Sequence, residues 1–383
     1  MVIYLDNQAT TRCDPRVVDA MLPWFTERYG NPHGTENAAG RDAAAGVERA
    51  RDQVAALLGA DRREILFTSG ATESNNLAIK GAARRARSAG SERRRGVTLA
   101  TEHPCVLEAV RDLGAEGLEP VVLPVAGNGL LDPAVLEDAL RVPTLLVSVM
   151  AVNNETGVVQ DLAALAPLVR RAGAILHSDL AQAAGKIPLD PDWFDLASVS
   201  GHKMYGPKGV GALFVRRRPR VRLIPLFSGG GQERGLRSGT LPVPLVVGLG
   251  EAAAIAAAEM AAEDVRLHAL RDGFLRALRA SVPGLEVNGD MDRRIPGNLN
   301  LRFPAARAAD VMVATPELCL STGSACSAAE HAPSHVLTAM GLDADAAARS
   351  LRLGIGRFTS AAELDRAAAL LGRAAGVAAS AAA

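Results

Sequence analysis

The chain has 383 residues, enough for two or three domains or one large α/β unit with an appendage, which excludes a peptide-sized module. Its 42 Lys and Arg balance 42 Asp and Glu, so no net field draws it toward nucleic acid, anionic lipid or an acidic substrate, and neither stable nucleic-acid binding nor a membrane partner is expected. With 48% hydrophobic and 22% charged residues it can bury a large core, which argues against disorder.

From the N-terminus, Met1 to Asp14 carries acids early and shows no basic-then-apolar run, and no 18 uninterrupted apolar residues occur anywhere. Neither export nor membrane crossing is therefore expected. Cys13, Cys105, Cys319 and Cys326 are scattered and form no CxxC pair, which reads as a reducing, cytoplasmic setting rather than a disulfide framework.

Short β-branched or apolar runs then alternate with Ala/Leu/Arg segments of helical period. Strands are expected at Glu64–Thr68, Gly96–Ala100, Pro120–Pro124, Thr144–Ala151, Ala174–His177, Leu196–Ser200 and Val210–Val215. Helices are expected at Gly40–Leu58, Glu73–Arg87, Val106–Gly114, Pro133–Leu140 and Leu162–Ala172. That alternation predicts an α/β fold: a large domain with a mostly parallel sheet flanked by helices. Beyond Leu241 a long helix near Val246–Ala280 and short strands at Leu285–Val287 and Asn298–Leu301 predict a smaller α+β domain. The expected division is 15–258 for the large domain, with 1–14 and 259–383 forming the small one. The alanine-rich tail Ala374–Ala383 is expected to fray.

The candidate chemistry lies where strands give way to turns. Thr68 runs into Ser69-Gly70-Ala71-Thr72-Glu73-Ser74-Asn75-Asn76, where Ala71 and Thr72 open a helix whose first N–H groups have no internal partner and suit a phosphate. An ordinary Ser/Thr cap explains the same residues. Thr101-Glu102-His103 offers a flat imidazole able to stack on a heteroaromatic ring, and Val152-Asn153-Asn154 supplies amides. In Ala174-Ile175-Leu176-His177-Ser178-Asp179 the acid ends a hydrophobic strand, the sheet edge where α/β proteins bind ligands. Asp179 there holds a pyridine nitrogen protonated or simply caps a helix, and Gln182 can reach a phenolate oxygen.

Only four basic residues are lysine: Lys80, Lys186, Lys203 and Lys208. Lys203, in Ser200-Gly201-His202-Lys203, directly ends an apolar strand, where a desolvated amine becomes a Schiff-base nucleophile. Solvated positions account adequately for the other three. Phosphate cup, stacking imidazole, amide, carboxylate and lysine in successive turns jointly describe a pyridoxal phosphate pocket.

Gly248-Leu249-Gly250 imitates a dinucleotide fingerprint, but Pro242 and Pro244 spoil the strand that should precede it. The small-residue loop at about 320–334 carries Cys326, a placement that favours reactivity over packing. Cys326, His331 and His335 lack a fourth ligand, so no metal is expected. Cys105 is a reserve thiol. Arg352, in an alternating strand, either grips a substrate carboxylate or is a surface arginine.

These motifs, with Tyr4-Leu5-Asp6-Asn7-Gln8-Ala9-Thr10-Thr11, Gly30-Asn31-Pro32-His33 and Gly229-Gly230-Gly231-Gln232-Glu233-Arg234-Gly235-Leu236-Arg237-Ser238-Gly239-Thr240, closely resemble the cysteine desulfurases of the NifS/IscS type. These are class V aminotransferase-like enzymes of pyridoxal phosphate fold type I. The likeness spans nearly the whole chain. It implies Lys203 as the Schiff-base lysine, His103 as the stacking group, Asp179 and Gln182 on the ring, and Asn154 as a further cofactor contact. Ala71, Thr72, Ser200 and His202 would lie on the phosphate, joined by Thr240 from the neighbouring subunit of a homodimer. Arg352 and Asn154 would orient the carboxylate of L-cysteine.

The resemblance further implies that L-cysteine replaces Lys203 on the cofactor and that the freed amine moves the Cα proton. Cys326 thiolate then takes the sulfur, giving L-alanine and a Cys326 persulfide. That sulfur would pass to an acceptor or IscU-like scaffold protein, for iron–sulfur clusters, thiolated tRNA or phosphorothioate DNA. His33–Asn37 and Leu180 depart from the family's usual residues, and the long loop around Cys326 favours the IscS-like group.

Overall fold

A computed structural model describes residues 2–322 and 333–382, with the side chains of 378–382 left aside. Seven strands form the main sheet in the spatial order Ile65–Thr68, Gly211–Val215, Leu196–Ser200, Ile175–Asp179, Thr144–Ser148, Arg95–Leu99 and Glu119–Leu123. Every pairing is parallel except the two made by Gly211–Val215, which runs antiparallel to both neighbours. Central strands such as Thr144–Ser148 and Leu196–Ser200 are buried on both faces, as a sheet covered by helices requires. This is the expected α/β architecture.

Boundaries moved where local chemistry overrode period. The helix read from Val106 starts at Pro104, because His103 caps it and proline suits the first helical position, and it tightens to a 3₁₀ turn at Asp112. The strand read to Ala151 ends at Ser148. The glycine pair Gly248 and Gly250 lies inside the helix Val243–Ser281 and packs closely, Gly248 on Met21 and Gly250 on Ala50 of the helix Ala38–Leu58. Their role is close helix packing.

That 39-residue helix is long and apolar enough to cross a membrane by composition, yet residues such as Val246, Leu249 and Ala253 are buried in the main core. It also spans two apolar clusters. Residues up to Ile255 pack with the main sheet, whereas Leu267, Phe274 and Leu278 pack with Ile3, Leu5, Leu299 and Leu353. This second cluster covers a small antiparallel sheet ordered Ser350–Gly354, Asn298–Arg302, Glu286–Val287, and the parallel pair Ile3–Tyr4 with Leu318–Cys319. The N-terminal segment thereby leaves the second cluster and reaches the carboxyl edge of the main sheet.

Candidate active site

At that edge the turns enclose a cavity of about 550 Å³ lined by Ala71, Thr72, His103, Asn154, Asp179, Gln182, Ser200, His202 and Lys203, among others. Nine of the residues singled out from sequence therefore meet in one place.

The helix Ala71–Ser88 begins at Gly70, whose φ of +146° suits glycine, and no side chain caps it. The Ser/Thr capping alternative thus falls, and the first N–H groups face the cavity region without a side-chain acceptor. Glu73, the one acid in this turn, is drawn away: it accepts from the Ser69 N–H at 2.7 Å and from Arg237 at 2.9 Å. Glu73 also lines the cavity, its carboxylate already engaged by those two donors.

Asp179 ends its strand 5% exposed, accepting from Asn75 Nδ2 at 2.7 Å and from the Ala181 N–H at 2.8 Å. A string of turns follows rather than a helix, so the helix-cap reading of Asp179 falls as well. Asn75 lies within the stretch Ser69 to Asn76, and nothing in the sequence singles it out as the partner of Asp179.

His103 Nδ1 accepts from the Cys105 N–H at 3.2 Å and lies 3.0 Å from Cys105 Sγ. A backbone N–H can only donate, so the neutral ring carries its proton on Nε2. Burial first, then Lys203 and His335, pull the imidazole below its usual range against the opposing pull of Asp179, which keeps that neutral form. Burial likewise pushes the Cys105 thiol up to about 12, helped by Asp179. Cys105 therefore stays a thiol and is no reserve nucleophile.

Lys203 Nζ donates to the carbonyl oxygens of Gln8 at 2.6 Å and Ala9 at 2.8 Å. Thr11 anchors the same turn, its hydroxyl donating to the His202 carbonyl at 2.9 Å and accepting from the Tyr205 N–H at 2.8 Å. His202 Nδ1 lies 3.0 Å from Thr10 Oγ1, and burial with Lys203, Lys208 and Lys186 nearby lowers its pKa to about 4. The contribution of residues 8–11 could not be derived from spacing, because these residues lie nearly 200 positions from Lys203.

Arg352 corrects the surface alternative: it is 2% exposed, with Nη2 donating to Asp6 at 2.7 Å and Nη1 to the Asn154 carbonyl at 3.1 Å. It does not line the cavity itself but grips Asn154, which does. Thr240 is exposed and lies outside the cavity of its own chain. Lys186 corrects the solvated reading too, because burial and the neighbouring Lys203 lower its pKa to about 7. Lys80 pairs with Asp112 at 2.7 Å and Lys208 is exposed.

Cys326 and His331 lie outside the described residues. The residues flanking that interval are held near the site. The Ser321 carbonyl accepts from the Arg352 N–H at 2.7 Å, Ser334 donates to Glu155 at 2.5 Å, and His335 Nε2 lies 2.9 Å from the Glu102 carbonyl.

The lining suits a phosphorylated pyridine aldehyde. It offers an uncapped helix start for the phosphate, a buried carboxylate for a ring nitrogen and an amine for the aldehyde. Asn154 Oδ1 is buried with no partner among the described residues, an acceptor still to be satisfied.

Comparison with known proteins points the same way. The aminotransferase class-V family model matches residues 3–367. A cysteine desulfurase IscS of Rickettsia bellii is 51% identical over 371 residues, covering 96% of this chain and 90% of that protein. Among solved structures, a NifS-like protein superposes with a TM-score of 0.89 at 34% identity, covering 98% of this chain and 99% of that one. SspA in complex with cysteine superposes with a TM-score of 0.81 at 35% identity, covering 93% and 99%.

Proposed function

From the premise that this chain belongs to the class-V aminotransferase family, as a cysteine desulfurase, we propose that the cavity at the carboxyl edge of its main sheet holds pyridoxal phosphate and L-cysteine. The observation that carries the reading is the meeting of Lys203, Asp179, His103 and an uncapped helix start around one cavity of suitable size.

Lys203 would bond the cofactor aldehyde, Asp179 would pair with the ring nitrogen, His103 would stack on the ring, and Gln182 would donate to the phenolate oxygen. Ala71, Thr72, Ser200 and His202 would take the phosphate, with Thr240 of a second copy completing the cup in a homodimer. Bound pyridoxal phosphate supplies an electron sink for charge developing at the substrate Cα. Arg352 and Asn154 would fix the cysteine carboxylate, directing the Cα hydrogen toward Lys203 Nζ, which would accept the proton. Cys326 thiolate would then attack the substrate sulfur. An S–S bond forms as the Cβ–S bond breaks, and protonation of the carbon skeleton gives L-alanine.

Support for the thiol comes from its flanks, since Ser321 and Ser334 are tied to Arg352 and to Glu155, the neighbour of Asn154. The persulfide would pass sulfur to an acceptor or scaffold protein in the cytoplasm. For the domains we take 15–258 as the large unit, with 1–14 and 259–383 as the small one. The passage of the long helix from one apolar cluster to the other between Ile255 and Leu267 supports that division.

Incubation with L-cysteine and reductant, reading sulfide and alanine, tests the assignment. Lys203→Ala is expected to lose the visible cofactor band. Cys326→Ala is expected to keep the band and form no persulfide. Sulfide release at the parent rate from Cys326→Ala refutes the assigned nucleophile.

A further inference from the structure

Gln182 is 3% exposed and lines the cavity. A carboxamide has one accepting end and one donating end, and only the donating end can stabilise an oxyanion. Two contacts decide which end is which. Lys186 Nζ donates to Gln182 Oε1 at 2.6 Å, and Gln182 Nε2 donates to the Gln8 carbonyl at 2.8 Å. The carbonyl can only accept, and Lys186, below its pKa of about 7, can only donate. Turning the amide over would set acceptor against acceptor and donor against donor, at a cost of both bonds. The second N–H of Gln182 is thus left for the cavity. The same Gln8 carbonyl also accepts from Lys203, so one relay runs from Lys186 through Gln182 and Gln8 to the reactive amine.

We propose that Lys186 is a positioning residue: it locks the Gln182 carboxamide with its N–H toward the cavity, as a fixed donor to the phenolate oxygen of the bound cofactor. The proposal deepens the reading above and rests on it. A donor on the phenolate makes that oxygen a poorer acceptor for the proton shared with the Lys203 nitrogen, so the proton leaves at lower pH. The nearby Lys186 charge pushes in the same direction. Removing Lys186 therefore raises the pKa at which the visible cofactor band titrates. Glu73, His103, Cys105, Asp179, His202 and Lys208 line the cavity with Lys203, while Tyr205, Glu263 and Asp264 share a small cavity with Lys186. All of them remain in every variant, so the shift is read against a constant background.

The test is a spectrophotometric pH titration of holoenzyme, without substrate, for the parent, Lys186→Met, Gln182→Leu and the double variant. Lys186→Met is expected to raise the band's pKa by about one unit, a tenfold change in proton affinity. Adding Lys186→Met to Gln182→Leu is expected to shift the band clearly less than it does in the parent, because only the direct Lys186 charge effect then remains. Lys186→Arg, which keeps a donor, is expected to hold the parent value. Should the methionine variant fail to fold, Lys186→Gln, one atom short of the contact, is read in the same way. A parent band whose pKa is unmoved by these replacements overturns the proposal alone, as does a shift that persists undiminished in the Gln182→Leu background. A parent with no visible band sinks the cofactor reading and this proposal with it.

Discussion

Replacing Glu102 by glutamine should make the protein progressively more stable than the parent as pH rises. Glu102 is fully buried beside His103. One carboxyl oxygen accepts from the Met150 N–H at 2.5 Å, and the other has no partner among the described residues. Burial, with Asp179 adding to it, raises the carboxyl pKa well above its usual value despite that one hydrogen bond. The native state therefore keeps a proton that the unfolded chain, with a glutamate pKa of about 4.3, has given up.

With more protons on the native state, unfolding free energy falls by about 1.4 kcal/mol for each pH unit between the unfolded and native pKa values, then levels off. Below about 4.3 that penalty is absent. Glutamine keeps the acceptor for Met150 and carries no titratable proton, so the glutamine variant escapes this decline. Urea unfolding at steps from pH 5 to 8, at equal cofactor loading, should show the variant gaining on the parent by up to about 1.4 kcal/mol per unit. Glu102→Ala should instead cost about 1–3 kcal/mol at low pH, from the unpaired Met150 N–H. Parallel parent and glutamine curves would refute a buried neutral acid.

Two other substitutions probe the site itself. Asn75→Leu removes one of the two hydrogen bonds on Asp179; at about 1.5 kcal/mol for a bond to a charged group, the cofactor dissociation constant should rise about tenfold, read by equilibrium dialysis. A change under twofold would remove Asp179 from the cofactor's partners. Arg352→Gln frees Asp6 and the Asn154 carbonyl and should raise KM for L-cysteine tenfold or more, corresponding to about 1.4 kcal/mol or more of lost binding. An unaltered KM in steady-state sulfide assays would show that Arg352 only braces Asn154.

The sheet was legible because its strands are continuous apolar runs separated by helices of clear period, and Leu196–Ser200 matched residue for residue. The pocket was legible for a related reason. In a parallel sheet the carboxyl ends of the strands share one edge, so residues that follow successive strands become neighbours. His103, Asp179 and Lys203 obey that rule. Asn75 and Lys186 do not stand out, since a polar residue one turn into a helix and a lysine after glycine look like surface positions until tertiary packing encloses them. Arg352 was ambiguous for the same reason: alternation along a strand shows which residues share a face, not what covers that face.

What periodicity could not reveal is how the second cluster reaches the site. Leu5 packs in that cluster, while Asp6 holds Arg352 and the carbonyls of Gln8 and Ala9 receive Lys203. Thr10 and Thr11 then contact His202 and its turn. Residues 5–11 thus join the second cluster to the site, and the acceptors that meet Lys203 itself are backbone carbonyls, whose positions depend on chain path rather than side-chain type. A carbonyl carries no sequence signal, because every residue has one. The side chains that would do chemistry can therefore be read from their turns, whereas the groups that aim them come from a segment nearly 200 residues away. One short segment thereby touches both Arg352, through Asp6, and Lys203, through the Gln8 and Ala9 carbonyls.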